Sequence, residues 1–246
     1  LTRCAQRRPR NHQRGSSIST AIASYDHIVT APEVELRRVW CRVAGRPTSA
    51  GVPALEALLA HLREPHRRYH TAVHVMWVLR HVEATLRAPT TPTVVDPDAL
   101  RWAALYHDAI YLPERSDNEA RSAALAVAAA ADIGWPADRR DTVHRLILAT
   151  ATHTLPGDGQ VDAATAVLLD ADLAILGAEP AEYAAYVRGA RQEYAHVDDA
   201  GWRAGRAAVL RVFLAQPVLY RTAHMRAERE HRARANLAAE LAVLEQ

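Results

Sequence analysis

The chain of 246 residues has no lysine, one phenylalanine and only two cysteines, Cys4 and Cys41. Two cysteines are too few for a disulfide framework or a cysteine-rich zinc site, so we expect a reducing compartment. No apolar run approaches the roughly 18 residues that a membrane span needs. The stretch over 1–19 lacks the apolar core of a secretory signal. We therefore expect a cytoplasmic protein without a membrane partner.

The charge distribution gives no indication of a nucleic-acid-binding surface. The formal net charge is +2, and the 30 basic side chains, all arginines, are spread along the chain. A nucleic-acid-binding domain instead gathers its basic residues on one face or helix. Hydrophobic residues make up 49% and charged residues 24%, which is typical of a globular protein with a sizeable core. We expect no nucleic-acid partner.

Helix signals follow one another with almost no strand signals between them. Asp96 and Asp162 are predicted N-terminal caps, Ser116–Glu119 a capping box, and Gly45 a helix end. The apolar spacing predicts an all-α fold, a single compact array of about ten helices.

The domain organisation follows from the same pattern. Residues 1–24 are rich in arginine and serine and are predicted to be a disordered basic tail. Residues 25–246 are predicted to form one helical domain. In an alternative division of this domain, the final three helices, over 180–246, form a C-terminal subdomain.

Histidine placement gives the first candidates for chemistry. His70 and His74 are four residues apart on a predicted helix over about 70–86, which places them on one face about 6 Å apart along the axis. His81 lies about two turns further along that face, where a supporting or surface role is expected. Alone, such a pair is more often part of the surface or of a hydrogen-bonded core than a metal site.

Acidic residues supply further candidates. His107 and Asp108 are adjacent at the end of the apolar run WAALYHDAIY, and Asp170 and Asp172 lie within LLDADLAILG. A carboxylate among apolar residues is costly unless it is paired or bound to a cation. Two carboxylates so close together favour a nearby cation.

The order His, His-Asp, Asp over three helical segments resembles the HD superfamily of metal-dependent phosphohydrolases. The resemblance implies the metal ligands His74, His107, Asp108 and Asp172. Asp170 competes for the last position; if Asp172 is the ligand, Asp170 is expected to orient a ligand histidine. Imidazole and carboxylate ligands suit a divalent ion such as Mn, Fe, Co, Ni, Zn or Mg.

The likeness extends over most of the chain, from about Tyr25 to the C-terminus. The matching segments resemble a bacterial subgroup of predicted HD phosphohydrolases; they are RYHTAVHV, YHDAIY, DNEARSA, LDADLAILG, RQEY, GRAAVLRVFL and ARANLAAEL.

A more limited likeness concerns YHTAVHV, which resembles the segment of cyclic-nucleotide phosphodiesterases that holds a proton-donating His and a metal-binding His. It implies that His70 is the general acid and His74 a ligand. Thr71 replaces the Asn of that family, and no His follows the doublet at the spacing for a second metal. A two-metal site of that type is therefore not expected.

The resemblance implies hydrolysis of a small phosphorylated substrate, such as a nucleotide. Asp108 is expected to orient the attacking water as well as bind metal, and Glu119 is a candidate to hold that water, beside its explanation as a capping residue. His153 is a candidate for a second ion or a phosphate. Arginine suits bidentate phosphate contact; the candidates are Arg67, Arg191 and Arg206.

Two other functions are kept as alternatives. One is a non-catalytic HD module that senses a nucleotide. The other is an HD-type di-iron oxygenase, which would recruit His144 and His153 as additional ligands. A homodimer is also an open expectation, because alanine-rich helices pack closely within one chain or between two.

Overall fold

Helices supply the regular structure in the computed structural model, which describes residues 31–45, 51–152 and 162–246. No strand occurs in these ranges, and the predicted all-α class is confirmed. Residues 32–246 group into one compact unit. The ten α-helices of the described ranges are α1 Pro32–Ala44, α2 Gly51–Leu62, α3 Ala72–Arg87, α4 Pro97–Tyr106, α5 Asn118–Asp132, α6 Ala137–Leu148, α7 Ala163–Asp172, α8 Pro180–Glu193, α9 Asp199–Ala215 and α10 Ala223–Leu244.

Two short 3₁₀ segments continue helices, Ala149–Ala151 after α6 and Leu173–Gly177 after α7. Within the described ranges, none of the helices combines the length and the apolar character that crossing a bilayer requires. The predicted tail over 1–24 lies outside the described residues.

Several helix ends follow their predicted signals. The carboxylate of Asp96 accepts hydrogen bonds from the first N–H groups of α4, and that of Asp162 accepts one at the start of α7. Gly45 follows α1 with a φ of 78°, a left-handed conformation that glycine adopts without strain.

The capping box predicted at Ser116–Glu119 is wrong. Helix α5 begins at Asn118, and its N-cap, Asp117, makes no side-chain capping bond. The carboxylate of Asp117 instead binds Arg115 and Arg121, at 2.6 and 3.1 Å. These ion pairs occupy the group nearest the free N–H groups, and Glu119 lies one position earlier in the helix than a capping box requires.

Two hydrophobic clusters fill the described part of the chain. The first joins α1 to α7 around the buried side chains of Trp40 and Trp102 and ends at Ala171. The second begins at Leu173 and joins the 3₁₀ segment after α7 to α8, α9 and α10. The second cluster thus starts before residue 180, where the alternative subdomain was placed; that subdomain stays a prediction.

Helix α3 lies at the centre of the first cluster and packs against α1, α4 and α7. This packing brings the N-terminal part of α3, the residues after α4 and the end of α7 close together. The three segments carry the histidines and aspartates that the sequence singled out.

Candidate metal centre

Four side chains from three segments converge at one point. His74 lies in the first turn of α3, His107 and Asp108 follow α4 directly, and Asp172 is the last residue of α7. One ligand atom from each lies within 4.8 Å of the others. Both histidines are buried, and both carboxylates are mostly covered. The convergence reproduces the set that the resemblance implied.

The distances within this cluster are those of ligands around one ion. His74 Nε2 lies 3.1 Å from His107 Nε2, 3.3 Å from Asp108 Oδ2 and 3.2 Å from Asp172 Oδ1. His107 Nε2 lies 3.3 and 3.4 Å from the same two oxygens. Nitrogen and oxygen ligands at about 2.1 Å from one ion are separated by roughly 3.0–3.4 Å.

The outer nitrogen of each histidine is held by a neighbour. His107 Nδ1 lies 2.9 Å from the carbonyl oxygen of Ala104, which only accepts, so this nitrogen carries a hydrogen. In a neutral ring, Nε2 then presents a lone pair to the cluster. His74 Nδ1 lies 3.1 Å from the hydroxyl of Tyr69. The Nε2 atoms of the two histidines, beside the two carboxylates, form a donor set that fits a divalent cation.

The electrostatics of the cluster also favour positive charge at its centre. Burial lowers the pKa of His107, but the nearby carboxylates of Asp108 and Asp172 outweigh burial and raise this pKa well above its usual range. Burial raises the pKa of Asp108, but His107 and His74 outweigh it and hold this pKa well below its usual range. Without a cation, a proton on one of the two histidines supplies positive charge beside the two carboxylates.

His70 does not lie on the same helix as His74, contrary to the prediction. Helix α3 begins at Ala72, and Thr71 is its N-cap, whose hydroxyl accepts from the N–H of Val73 at 3.3 Å. His70 therefore precedes the helix. Its ring still lies near that of His74, with 5.5 Å between the ring centroids.

A buried carboxylate explains the backbone before α3. Glu193, at the end of α8, accepts hydrogen bonds at Oε1 from the N–H groups of Arg68, Tyr69 and His70, at 2.7, 2.8 and 3.0 Å. Its Oε2 lies 2.7 Å from His70 Nδ1. Tyr111 donates to the same oxygen at 3.3 Å, and its ring stacks on that of His70 with centroids 4.0 Å apart.

Sequence reasoning missed Glu193, although the segment RQEY contains it. Burial raises the pKa of its carboxyl, but the contact with His70 and the backbone N–H groups outweigh burial and lower the pKa to about 2. The only local signal is a glutamate at the end of an amphipathic helix, and such a residue is usually exposed.

The three arginines predicted to contact phosphate have other partners. Arg67 is buried, and its guanidinium donates to the carbonyls of His70, Asp108 and Ala109. It therefore supports the turn that carries Asp108. No substrate contact is proposed for it.

Arg191 and Arg206 are engaged in the C-terminal part. Arg191 donates to the carbonyl of Tyr194 at 2.9 Å and to Asp199 at 2.7 Å. Arg206 forms a two-point ion pair with Glu240, at 2.8 and 3.0 Å, and donates to the hydroxyl of Tyr186 at 3.0 Å. Both cations are thus matched by carboxylates.

Asp170 is fully buried but does not join the cluster or orient a ligand histidine. Its two oxygens accept from the backbone N–H groups of Arg221 and Thr222, each at 2.7 Å. The predicted role is wrong because residues two apart on a helix point to different sides. Asp170 instead holds the turn that begins α10.

Other predicted candidates lie elsewhere. Glu119 is in the first turn of α5, outside the cluster of ligand atoms. His144 is exposed on α6. His153 lies outside the described residues.

A cavity of about 380 Å³ opens beside the cluster. The wall includes His74 and Asp172 of the cluster and also Tyr69. Its other lining residues include Arg68, Thr71, Trp77, His81, Tyr186 and Arg229. Comparison with protein-family models, with curated proteins and with solved structures gave no match. The chemistry of this cavity and of the ligand cluster is therefore the basis for a function.

Proposed function

We propose that the protein is a cytoplasmic metal-dependent phosphohydrolase of the HD type that cleaves a phosphoester of a nucleotide or another small phosphorylated metabolite. The convergence of His74, His107, Asp108 and Asp172 carries the proposal. A divalent ion held by these residues would supply Lewis-acid activation of the phosphoester and would lower the pKa of water. The adjoining cavity gives a small substrate access to two of the four ligands.

His70 is placed to give a proton to the leaving oxygen. Its Nδ1 faces the carboxylate of Glu193, and its Nε2 makes no hydrogen bond with another described residue. The side chain is 22% exposed, so a substrate can reach it. As the phosphorus–oxygen bond breaks, a proton on Nε2 would pass to the departing oxygen, while the contact of Nδ1 with Glu193 keeps the ring in place.

The oxygenase alternative has less support. In the described ranges, the four-residue cluster is the one group of three or more His, Cys, Asp and Glu side chains arranged to hold an ion. His144, which that alternative would recruit, is exposed and is not part of it.

The proposal is tested by metal analysis and hydrolysis in the parent and in His107→Ala and Asp108→Ala. The substrates are an aryl phosphomonoester, an aryl phosphodiester and a panel of nucleotides. We expect near-stoichiometric metal and hydrolysis in the parent, with both lost in each variant. His144→Ala is the matched control, because it removes an exposed histidine, and we expect it to retain both.

Full hydrolysis by His107→Ala would contradict the proposal. Iron in the parent with consumption of O₂ and no hydrolysis would favour the oxygenase. Absence of metal after incubation with Mn or Fe would favour the nucleotide-sensing module.

A further inference from the structure

The cavity wall that is not formed by metal ligands carries a fixed positive charge. Arg229 of α10 lines the same cavity as His74 and Asp172. Its Nη1 donates to the carbonyl oxygens of Ala174 and Gly177, each at 3.2 Å. Both carbonyls belong to the 3₁₀ segment that starts directly after Asp172, so the guanidinium is positioned by the segment that follows this residue of the cluster.

Close packing sets the position of the Arg229 backbone. A Cβ placed on Gly177 would lie 2.6 Å from the Cβ of Arg229 and 2.9 Å from its carbonyl oxygen. Only glycine allows α10 to approach the 3₁₀ segment so closely. The first carbon of the Arg229 side chain is therefore held against a backbone that has little freedom to shift.

The charge of Arg229 has no carboxylate partner among the described residues. None lies within the 4.0 Å of a salt bridge, and Nε is buried without a hydrogen-bond partner in the described ranges. Nη2 also makes no hydrogen bond with a described residue. A buried donor without a partner is costly, so a ligand that accepts from this guanidinium would be favoured.

Other groups around Arg229 do not cancel its charge. Arg68 also lines the cavity and is exposed. Burial, Arg229 and His224 lower the pKa of His81, another lining residue, to about 4, so its ring is neutral at pH 7. Glu182 is the exposed acidic residue of the lining, and bulk water screens an exposed carboxylate.

An aromatic surface lies on the same wall. Trp77 lines the cavity and is 46% exposed, although it is among the largest apolar side chains of the chain. Its ring stacks on that of His81 with centroids 6.1 Å apart, and the guanidinium of Arg80 lies over the ring, 4.9 Å from its centroid. The exposed part of the indole can contact a planar or apolar group in the cavity.

We propose that Arg229, with Trp77, forms a second subsite, which binds a second oxyanion of the substrate joined to the scissile phosphate by a planar or apolar portion. The shared chemistry is that of a carboxylate or a second phosphate. This inference rests on the proposed function, because the first phosphate is assigned to the metal cluster.

The test measures binding of non-hydrolysable phosphonates by calorimetry, with hydrolysis assayed separately. The one-anion probe is phenylphosphonate. The two-anion probes carry a second group at the para position, either a carboxylate, attached directly or through a short side chain, or a second phosphonate. Comparing the two kinds of two-anion probe shows whether the second oxyanion is a carboxylate or a phosphate. We expect the parent to bind at least one two-anion probe about tenfold more tightly than phenylphosphonate, as a charge-assisted contact provides.

The variants are Arg229→Met, Arg229→Lys and the matched control Arg226→Met. Arg226 lies one turn earlier on α10 and likewise donates to two backbone carbonyls, those of Tyr220 and Arg221, but it does not line the cavity. We expect Arg229→Met to lose the preference for two anions while phenylphosphonate binding changes less than about twofold. Arg229→Lys should keep part of the preference, and Arg226→Met all of it.

Equal affinity of the parent for one-anion and two-anion probes would overturn the subsite, as would the same loss of preference in Arg226→Met. Either result leaves the proposed hydrolysis intact. Conversely, a parent that prefers two anions but hydrolyses no phosphoester would retain the subsite and remove the proposed function.

Discussion

Glu193 Oε2 and His70 Nδ1 lie 2.7 Å apart, although the two residues are separated by 123 positions in the chain. The other oxygen of Glu193 accepts from three consecutive backbone N–H groups, ending with that of His70 itself. One carboxylate thus fixes both the backbone and the ring of His70. Because Nδ1 faces an acceptor, Nε2 is the nitrogen available to a substrate.

Replacement of this carboxylate should affect proton transfer but not metal binding. We expect Glu193→Gln to lower kcat by roughly 10- to 100-fold, because a single amide oxygen cannot accept both from the backbone N–H groups and from Nδ1, so the ring of His70 is no longer held in place. Steady-state kinetics and elemental analysis test this, and the metal content should be unchanged. Glu240→Gln, which alters a half-buried carboxylate paired with Arg206, is the control. An unchanged kcat in Glu193→Gln would contradict this role.

Glu193 should also make stability depend on pH. Its pKa falls from 4.5 to about 2 on folding, so the folded state binds the proton less readily than the unfolded state. The stabilisation is present above about pH 4.5 and is lost as pH falls towards 2; its upper limit at pH 7 is about 3 kcal/mol. Urea unfolding of parent and Glu193→Gln at several pH values measures it. A difference between the two proteins that is constant between about pH 7 and pH 3 would refute the linkage.

Replacing the two carboxylates of α7 one at a time should separate an effect on stability from an effect on metal binding. Asp170→Asn places an amide against two backbone N–H groups, where only one can still be accepted, and should cost about 2–4 kcal/mol of unfolding free energy. Its metal content should stay that of the parent. Asp172→Asn should lose metal with a smaller effect on the metal-free fold. Denaturant unfolding and elemental analysis of both variants test this, and metal loss in Asp170→Asn alone would reverse the assignment.

The hydroxyl of Tyr69 should tune the affinity for metal through His74. We expect Tyr69→Phe to weaken metal binding about tenfold, because the ring of His74 loses the partner of its outer nitrogen. Tyr111→Phe removes a hydroxyl that contacts Glu193 instead, so its metal affinity should match the parent. Competition with a chelating dye measures both. Equal affinities in the two variants would show that the contact does not matter.

Local signals in the sequence predicted much of the fold. The caps at Asp96 and Asp162 and the end at Gly45 depend on groups within a few residues of each other, so the sequence alone contains them. The set of four candidate ligands was implied by the family resemblance that these residues carry, and the packing of α3 against α4 and α7 brings them together.

The residues whose position or role was predicted wrongly have partners that are far away in the sequence. His70 was predicted on a helix because its spacing to His74 fits one turn, but Glu193 holds the preceding backbone out of the helix. Arg67 and Arg206 were candidates for phosphate because arginine suits it; their carbonyl and carboxylate partners become neighbours only in the folded chain. No local pattern identifies such partners.

The order of the site residues along the chain has a consequence for synthesis. The ribosome adds His74, His107 and Asp108 before Asp172. In the sequence, Asp172 lies between the last residue of the first hydrophobic cluster and the first residue of the second. A growing chain on the ribosome therefore contains three of the four candidate ligands early, but it can complete the set only once α7 has emerged. Glu193 follows later still, so a nascent chain contains every candidate ligand before it contains the carboxylate that orients His70.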